Sequence, residues 1–273
     1  MNHSTTITRR QALALGAGGL LAAGLWPGAL RAEGERGGDP FFFLAINDLH
    51  YLDKRCTNYL AGAFQQMKSQ REKPEFLLVI GDLVDNGKPE QLGAVRDLIK
   101  DFGLPVYAVI GNHDYRVQDD RKSYEELFPG RLNYHFEHKG WQFLGLDSTD
   151  GVRYKDVAAP DATLRFLDGT LPKLDRKKPT VVFTHFPLGP KVNNRLTNAD
   201  AVLERFKDHN LRAVLGGHYH AFTERTVGNV TLTTNRCCSF SKNNHDGSKE
   251  KGYFLCHARD GVIQRTFVEY KPA

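Results

Sequence analysis

Apolar residues fall along this chain in two rhythms. Short continuous apolar runs at 41–46, 76–80 and 106–110, with further strand-like stretches at 180–184 and 212–215, alternate with longer stretches in which apolar positions recur every three or four residues. A run of four to six apolar residues predicts a strand buried on both faces. The second rhythm predicts helices at 58–71, 89–102, 161–171 and 198–208. In the second of these, Leu92, Val95, Leu98 and Ile99 share a face and Pro89 suits the first turn. Strand and helix thus alternate with crossovers of the length that parallel βαβ units require. The middle and the end break this rhythm. Residues 132–137 and 141–146 flank His138-Lys139-Gly140 and predict an antiparallel hairpin, and runs at 222–227, 230–234, 253–257 and 262–270 make the C-terminal part rich in strands. The expected fold class is α/β, a two-sheet mixed β-sandwich flanked by helices, rather than one parallel sheet.

Composition changes this picture little. Of 273 residues, 40% are apolar and 25% charged, as in globular proteins and unlike disordered or fibrous ones. The N-terminus matters more. Arg9-Arg10 precede an apolar stretch at 12–26, which resembles a twin-arginine export signal, with Ala12 where such signals usually carry Phe. The stretch is short and rich in Gly and Ala, so a cleaved signal at 1–32, ending on Leu30-Arg31-Ala32, is expected over an uncleaved membrane anchor. Residues 33–40 are then a polar linker, 41–273 a single domain, and the location periplasmic. Without Arg9, Arg10 and Arg31 the net charge drops from +5 to +2. That near-neutral balance points away from a nucleic-acid surface. Disulfides are allowed in an exported chain, and Cys256 paired with Cys237 or Cys238 is the expected bridge, free buried thiols being the alternative.

Candidate chemistry sits in five islands: Asn47-Asp48-Leu49-His50, Gly81-Asp82-Leu83-Val84-Asp85, Gly111-Asn112-His113-Asp114, Thr184-His185-Phe186 and Gly217-His218-Tyr219-His220. Four of them follow a predicted buried strand closely, and rigid strand ends from one sheet can aim ligands at a common point. Asp48 and His50 are two apart and would share a face on a continuing strand, as would His218 and His220. Gly81, Gly111 and Gly217 each precede a ligand candidate and allow sharp turns. A carboxylate such as Asp82 can bridge two cations. Mixed His, Asp and Asn donors suit manganese, iron or zinc rather than calcium.

Taken together and in order, these islands resemble the motifs of the calcineurin-like metallophosphoesterases over about residues 41–220. The resemblance implies a binuclear site of two divalent or trivalent transition metals (Mn, Fe or Zn) and hydrolysis of phosphoesters by attack of a metal-bridging hydroxide on phosphorus. Asp48, His50 and His220 would hold one metal; Asn112, His185 and His218 the other; Asp82 would bridge. His113 would protonate the leaving oxygen, and Asp85 would pair with His113 and favour its imidazolium form. Asp114 is expected to order the Asn112 loop.

Departures narrow the resemblance. Asn86 and Ile110 stand where Ser/Thr protein phosphatases carry arginines, and Asp85 stands where purple acid phosphatases carry a Tyr ligand. The length left after the leader fits the small, single-domain phosphodiesterases, including those acting on cyclic nucleotides. The substrate is thus a small phosphoester, with diesters expected first. A phosphomonoester or a nucleotide-conjugate pyrophosphate bond is the alternative, and a non-catalytic metal- or phosphate-binding module lies further off. The polar stretch 236–252 follows the last island and offers Lys242, Asn243, Asn244 and His245 as substrate contacts beside Asn112 and His113; Tyr51, Arg153 and Tyr154 are further candidates. His135, His138, His209 and His257 are expected to be structural or surface residues.

Overall fold

A computed structural model describes residues 38–272. The expected signal at 1–32 and most of the linker lie outside the described residues. Among the described residues, eleven strands form two sheets. The first, in the order β11-β10-β1-β2-β3, contains β1 (Phe41–Ile46), β2 (Leu77–Ile80), β3 (Val106–Val109), β10 (Gly252–Arg259) and β11 (Val262–Glu269). The second, β4-β5-β6-β7-β9-β8, contains β4 (Tyr134–His138), β5 (Trp141–Leu146), β6 (Thr180–Thr184), β7 (Leu211–Gly216), β8 (Thr223–Val227) and β9 (Val230–Thr234). Strands β1, β2 and β3 run parallel, as do β5, β6, β7 and β9; β4, β8, β10 and β11 pair antiparallel. The expected two-sheet mixed sandwich is the observed one.

Three apolar layers hold it together. Between the sheets, Phe41, Phe43, Phe76, Trp141, Phe143 and Phe183 pack with Cys256 and Ile263. Phe43 and Phe76 stack at 5.1 Å, and Phe143 meets Phe76 edge-on at 5.3 Å, the geometries that aromatic quadrupoles favour. Each such buried ring contributes roughly 1.5–3 kcal/mol of hydrophobic stabilisation. On the outer face of the first sheet lie α1 (Lys54–Lys68), α2 (Pro89–Lys100) and α3 (Lys122–Leu127); on that of the second, α4 (Asp161–Thr170) and α5 (Ala199–Glu204).

Helix α1 starts four residues before the expected position. The Asp53 carboxylate caps it by accepting the Arg55 N–H at 2.9 Å, and its buried stripe begins at Cys56. α5 is shorter than expected, ending at Glu204. The expected disulfide is absent: all four cysteines are free and buried. Cys238 belongs to the helix-side core and Cys256 to the core between the sheets, so the first sheet separates them.

Candidate metal centre

Five strands end at one place. β1 leads to Asp48 and His50, β2 to Asp82, β3 to Asn112, β6 to His185, and β7 to His218 and His220. Because these strands are parallel within each sheet, their C-terminal ends lie on the same edge of the sandwich. All seven side chains are buried.

The expected continuing strands are not what aligns them. β1 stops at Ile46, and Asp48, His50, Asp82, His218 and His220 all take left-handed backbone, with φ of 54°, 44°, 50°, 64° and 47°. Five non-glycine residues in that sparse region mark backbone strain concentrated at one site. Main-chain bonds hold it in place: Asp48 N–H donates to Gly81 O at 3.2 Å and His50 N–H to Asp82 O at 3.0 Å. Gly81 has φ of 73°, and a Cβ there would strike the His185 ring.

Three groups of donor atoms result, one of them His50, Asp85 and His113, and the other two share Asp82. Of the two that share it, Asp48, His50, Asp82 and His220 form one; Asp82, His185 and His218 form the other. The Asp82 carboxylate faces both: Oδ2 lies 3.5 Å from His50 Nε2 and Oδ1 lies 3.3 Å from His185 Nε2. His220 Nε2 lies 3.2 Å from Asp48 Oδ1 and 3.1 Å from His50 Nε2. Asn112 Oδ1 and His218 Nδ1 lie 3.2 and 3.3 Å from His185 Nε2.

Each of the four imidazoles turns one nitrogen into the cluster and gives the other to a fixed acceptor. His50 Nδ1 meets Asp85 Oδ1 at 3.2 Å, His185 Nδ1 the Ile80 carbonyl at 3.2 Å, His218 Nε2 the Tyr154 carbonyl at 2.7 Å, and His220 Nδ1 the Asn243 carbonyl at 3.1 Å. Such outward hydrogen bonds set the tautomer and leave the inward nitrogen a lone pair for a cation. Hard and borderline donors at strand ends, with their outer atoms already tied, fit a pair of metal ions.

Electrostatics agree. Burial disfavours charge on Asp48 and Asp82, yet neighbouring imidazoles outweigh it and hold both carboxyls below their ordinary range. Burial likewise opposes charge on His185 and His220, but the Asp82 and Asp48 charges push them up to about 9 and about 11. His50 and His218 are pushed down by burial, His218 to about 4. The shifts thus favour the charged form at Asp48, Asp82, His185 and His220.

The remaining candidates take distinct places. His113 keeps 36% of its side chain exposed, and its Nδ1 meets the Asp85 carbonyl at 2.9 Å. The Asp85 carboxylate lies 3.7 Å from that nitrogen but closer to His50 Nδ1 and, at 2.6 Å, to Lys242 Nζ. Burial works against its ionisation, and those two partners prevail, holding it at about 2. Asp114 accepts N–H bonds from Val84 at 3.0 Å and Gly111 at 2.8 Å, the loop-ordering position expected of it. In the 236–252 stretch, His245 stacks on His220 at 4.8 Å, whereas the buried Asn244 amide bonds to Cys237, Ser248 and Glu250 within its own loop. The Tyr51 and Thr57 hydroxyls share a hydrogen bond, Arg153 pairs with Asp150, and Tyr154 contributes its carbonyl while its ring stays exposed. Sequence reasoning missed the carbonyls of Ile80, Tyr154 and Asn243, since any residue supplies one. It also missed the Asn47 amide, which donates to Asp48 and to the Asn235 carbonyl. An Asn adjoining a ligand Asp was the available signal.

A sandwich with a shared buried carboxylate between two His/Asp clusters presents the donor set of a dinuclear metal site. Residues 43–222 match the calcineurin-like phosphoesterase family, and the chain belongs to it. A probable cyclic nucleotide phosphodiesterase from Synechococcus is 30% identical over 192 residues, covering 64% of this chain and 71% of the relative. A glycerophosphodiester phosphodiesterase from Enterobacter lignolyticus is 26% identical over 202 residues, 67% of this chain and 69% of the relative. Among solved structures, a dimetal phosphatase from Danio rerio shares the fold with a TM-score of 0.61 at 16% identity, over 85% of this chain and all of that one.

Proposed function

We propose that this chain hydrolyses phosphodiesters at a pair of transition-metal ions, manganese, iron or zinc. The observation that carries the reading is the Asp82 carboxylate, which presents one oxygen to each donor cluster while the outer nitrogens of all four imidazoles are tied down. Asp48, His50 and His220 would hold one ion and Asn112, His185 and His218 the other, with Asp82 shared. When bound, such a pair neutralises charge on phosphoryl oxygens and acidifies water. The chain's own part is to position and to move a proton. His113, held through Nδ1 by the Asp85 carbonyl, leaves Nε2 free to protonate the departing oxygen. Asp85 orients His50 rather than chiefly serving His113, since its carboxylate lies nearer the former.

Preference for diesters is supported by the relatives that act on cyclic nucleotides and glycerophosphodiesters. The test is turnover of bis- against mono-p-nitrophenyl phosphate by the manganese-loaded protein. Faster cleavage of the diester is expected; a monoester-only enzyme would overturn the preference. We also propose export to the periplasm by the twin-arginine route, which carries folded, metal-loaded proteins and suits the Arg9-Arg10 leader. Among the described residues no helix is long and apolar enough to cross a membrane.

A further inference from the structure

We propose that Lys242 is a substrate-gripping residue whose ammonium holds a non-bridging oxygen of the phosphoryl group; the inference rests on the phosphodiesterase reading of the same site. The loop that bears it is bound to the metal-bearing strand ends. Cys238 N–H donates to the Asn47 carbonyl at 3.1 Å, Ser241 Oγ to the His50 carbonyl at 3.5 Å, and His245 N–H to the His220 carbonyl at 3.1 Å. Within the loop, Ser239 Oγ accepts the N–H groups of Ser241 and Lys242 at 3.2 and 3.1 Å, and Lys251 donates to the Lys242 carbonyl. The Lys242 backbone is thus fixed from both sides before any ligand arrives.

Its side chain reaches the centre. Nζ lies 2.6 Å from Asp85 Oδ1, the oxygen that also meets His50 Nδ1 at 3.2 Å and lies 3.7 Å from His113 Nδ1. Among the described residues, the other cationic partners of Asp48, Asp82 and Asp85 are all histidines. Lys242 is 34% exposed, so its ammonium is reached by solvent rather than buried with the donor cluster. An ammonium has three N–H donors, and Asp85 takes one. Lys242 and His113 approach the same Asp85 carboxylate oxygen and keep similar exposure, 34% and 36%, so both are open to a ligand on this side of the cluster. A tethered point charge there suits a phosphoryl oxygen that the buried carboxylates would otherwise repel.

The test compares the manganese-loaded wild type with Lys242→Met and Lys242→Arg. The readouts are KM and kcat on bis-p-nitrophenyl phosphate, calorimetric binding of inorganic phosphate, and manganese content. For Lys242→Met, KM and the phosphate dissociation constant should rise by about 10- to 100-fold, the worth of one charge-assisted hydrogen bond. Manganese content should hold, kcat should fall less than KM rises, and Lys242→Arg should recover most of the loss. Unchanged phosphate binding in Lys242→Met overturns the proposal. So does loss of manganese in that variant, which would make Lys242 a prop for Asp85 and His50. A wild type that loads manganese yet neither binds phosphate nor cleaves the diester overturns the phosphodiesterase reading itself, a result visible before any variant is made.

Discussion

His113 is held through Nδ1 by the Asp85 carbonyl and keeps 36% of its side chain exposed, the geometry behind its proposed role as proton carrier. Replacing it with Ala should leave manganese content unchanged, because its side chain belongs to neither Asp82-centred donor group. With an alkyl diester, whose leaving oxygen needs a proton, kcat should fall by about 10²- to 10⁴-fold. With a nitrophenyl diester, whose leaving group departs as a stable anion, the loss should shrink markedly. Parallel kcat measurements on the two substrates check this; equal losses would assign His113 to binding instead. At this scale the sequence was informative about donors and silent about what orients them. Asp48, His50 and Asp82 were legible as oxygen and imidazole types in ordered islands. The carbonyls of Ile80, Tyr154 and Asn243 were not, since a main-chain acceptor carries no residue signature.

The elements act as rails whose ends must approach closely. β2 and β3 deliver Asp82 and Asn112 from neighbouring parallel strands, and Gly111 is where they nearly collide. Its φ of −114° is open to any residue, so space rather than turning is the reason for glycine. A Cβ there would land on the Asp82 backbone N and Oδ1, neither of which can move without moving the shared carboxylate. Gly111→Ala should cost about 1–3 kcal/mol of stability by overpacking and weaken metal binding by at least about 10-fold. Gly93, inside α2, is the matched control, for a Cβ there meets nothing within 4 Å. Gly93→Ala should stabilise by about 0.4–1 kcal/mol with metal affinity unchanged. Thermal melts and metal titrations of both variants check the pair. The strands were legible because continuous apolar runs such as 41–46 and 76–80 survive as the buried strands β1 and β2. α3 was not, being one and a half turns long with a single buried residue, Tyr124, to mark it. The left-handed turns at Asp48 and His50 were also hidden, because nothing in an Asp-x-His spacing distinguishes them from extended strand.

For the sandwich as a whole, the donor cluster is a clasp. Asp48 and Asp82 extend from the first sheet, His185 and His220 from the second, so the contacts Asp48–His220 at 3.2 Å and Asp82–His185 at 3.3 Å cross between sheets. Metal ions bound to the same atoms would clasp the sheets in the protons' place. The pH dependence follows from the shifts. The carboxyls, depressed in the folded chain, contribute stability above their ordinary pKa and lose it as pH falls through the depressed values. The two imidazoles, raised to about 9 and about 11, contribute fully below about 6.5 and lose it as pH climbs through those values. The metal-free protein should therefore weaken from pH 6.5 toward 9. Metal binding moves the opposite way, because His185 and His220 must release their protons to ligate and do so more readily as pH rises. At free manganese 100 times its Kd the loaded protein gains about 2.7 kcal/mol, or roughly 5–10 °C in Tm for a domain of this size. The gap between manganese-loaded and chelator-treated melts should thus widen from pH 6 to pH 8.5, with proton release on loading seen as buffer-dependent heats in calorimetry. A gap that stays constant with pH would mean the imidazoles are already neutral before metal arrives, and the clasp would then owe its closure to packing rather than to charge.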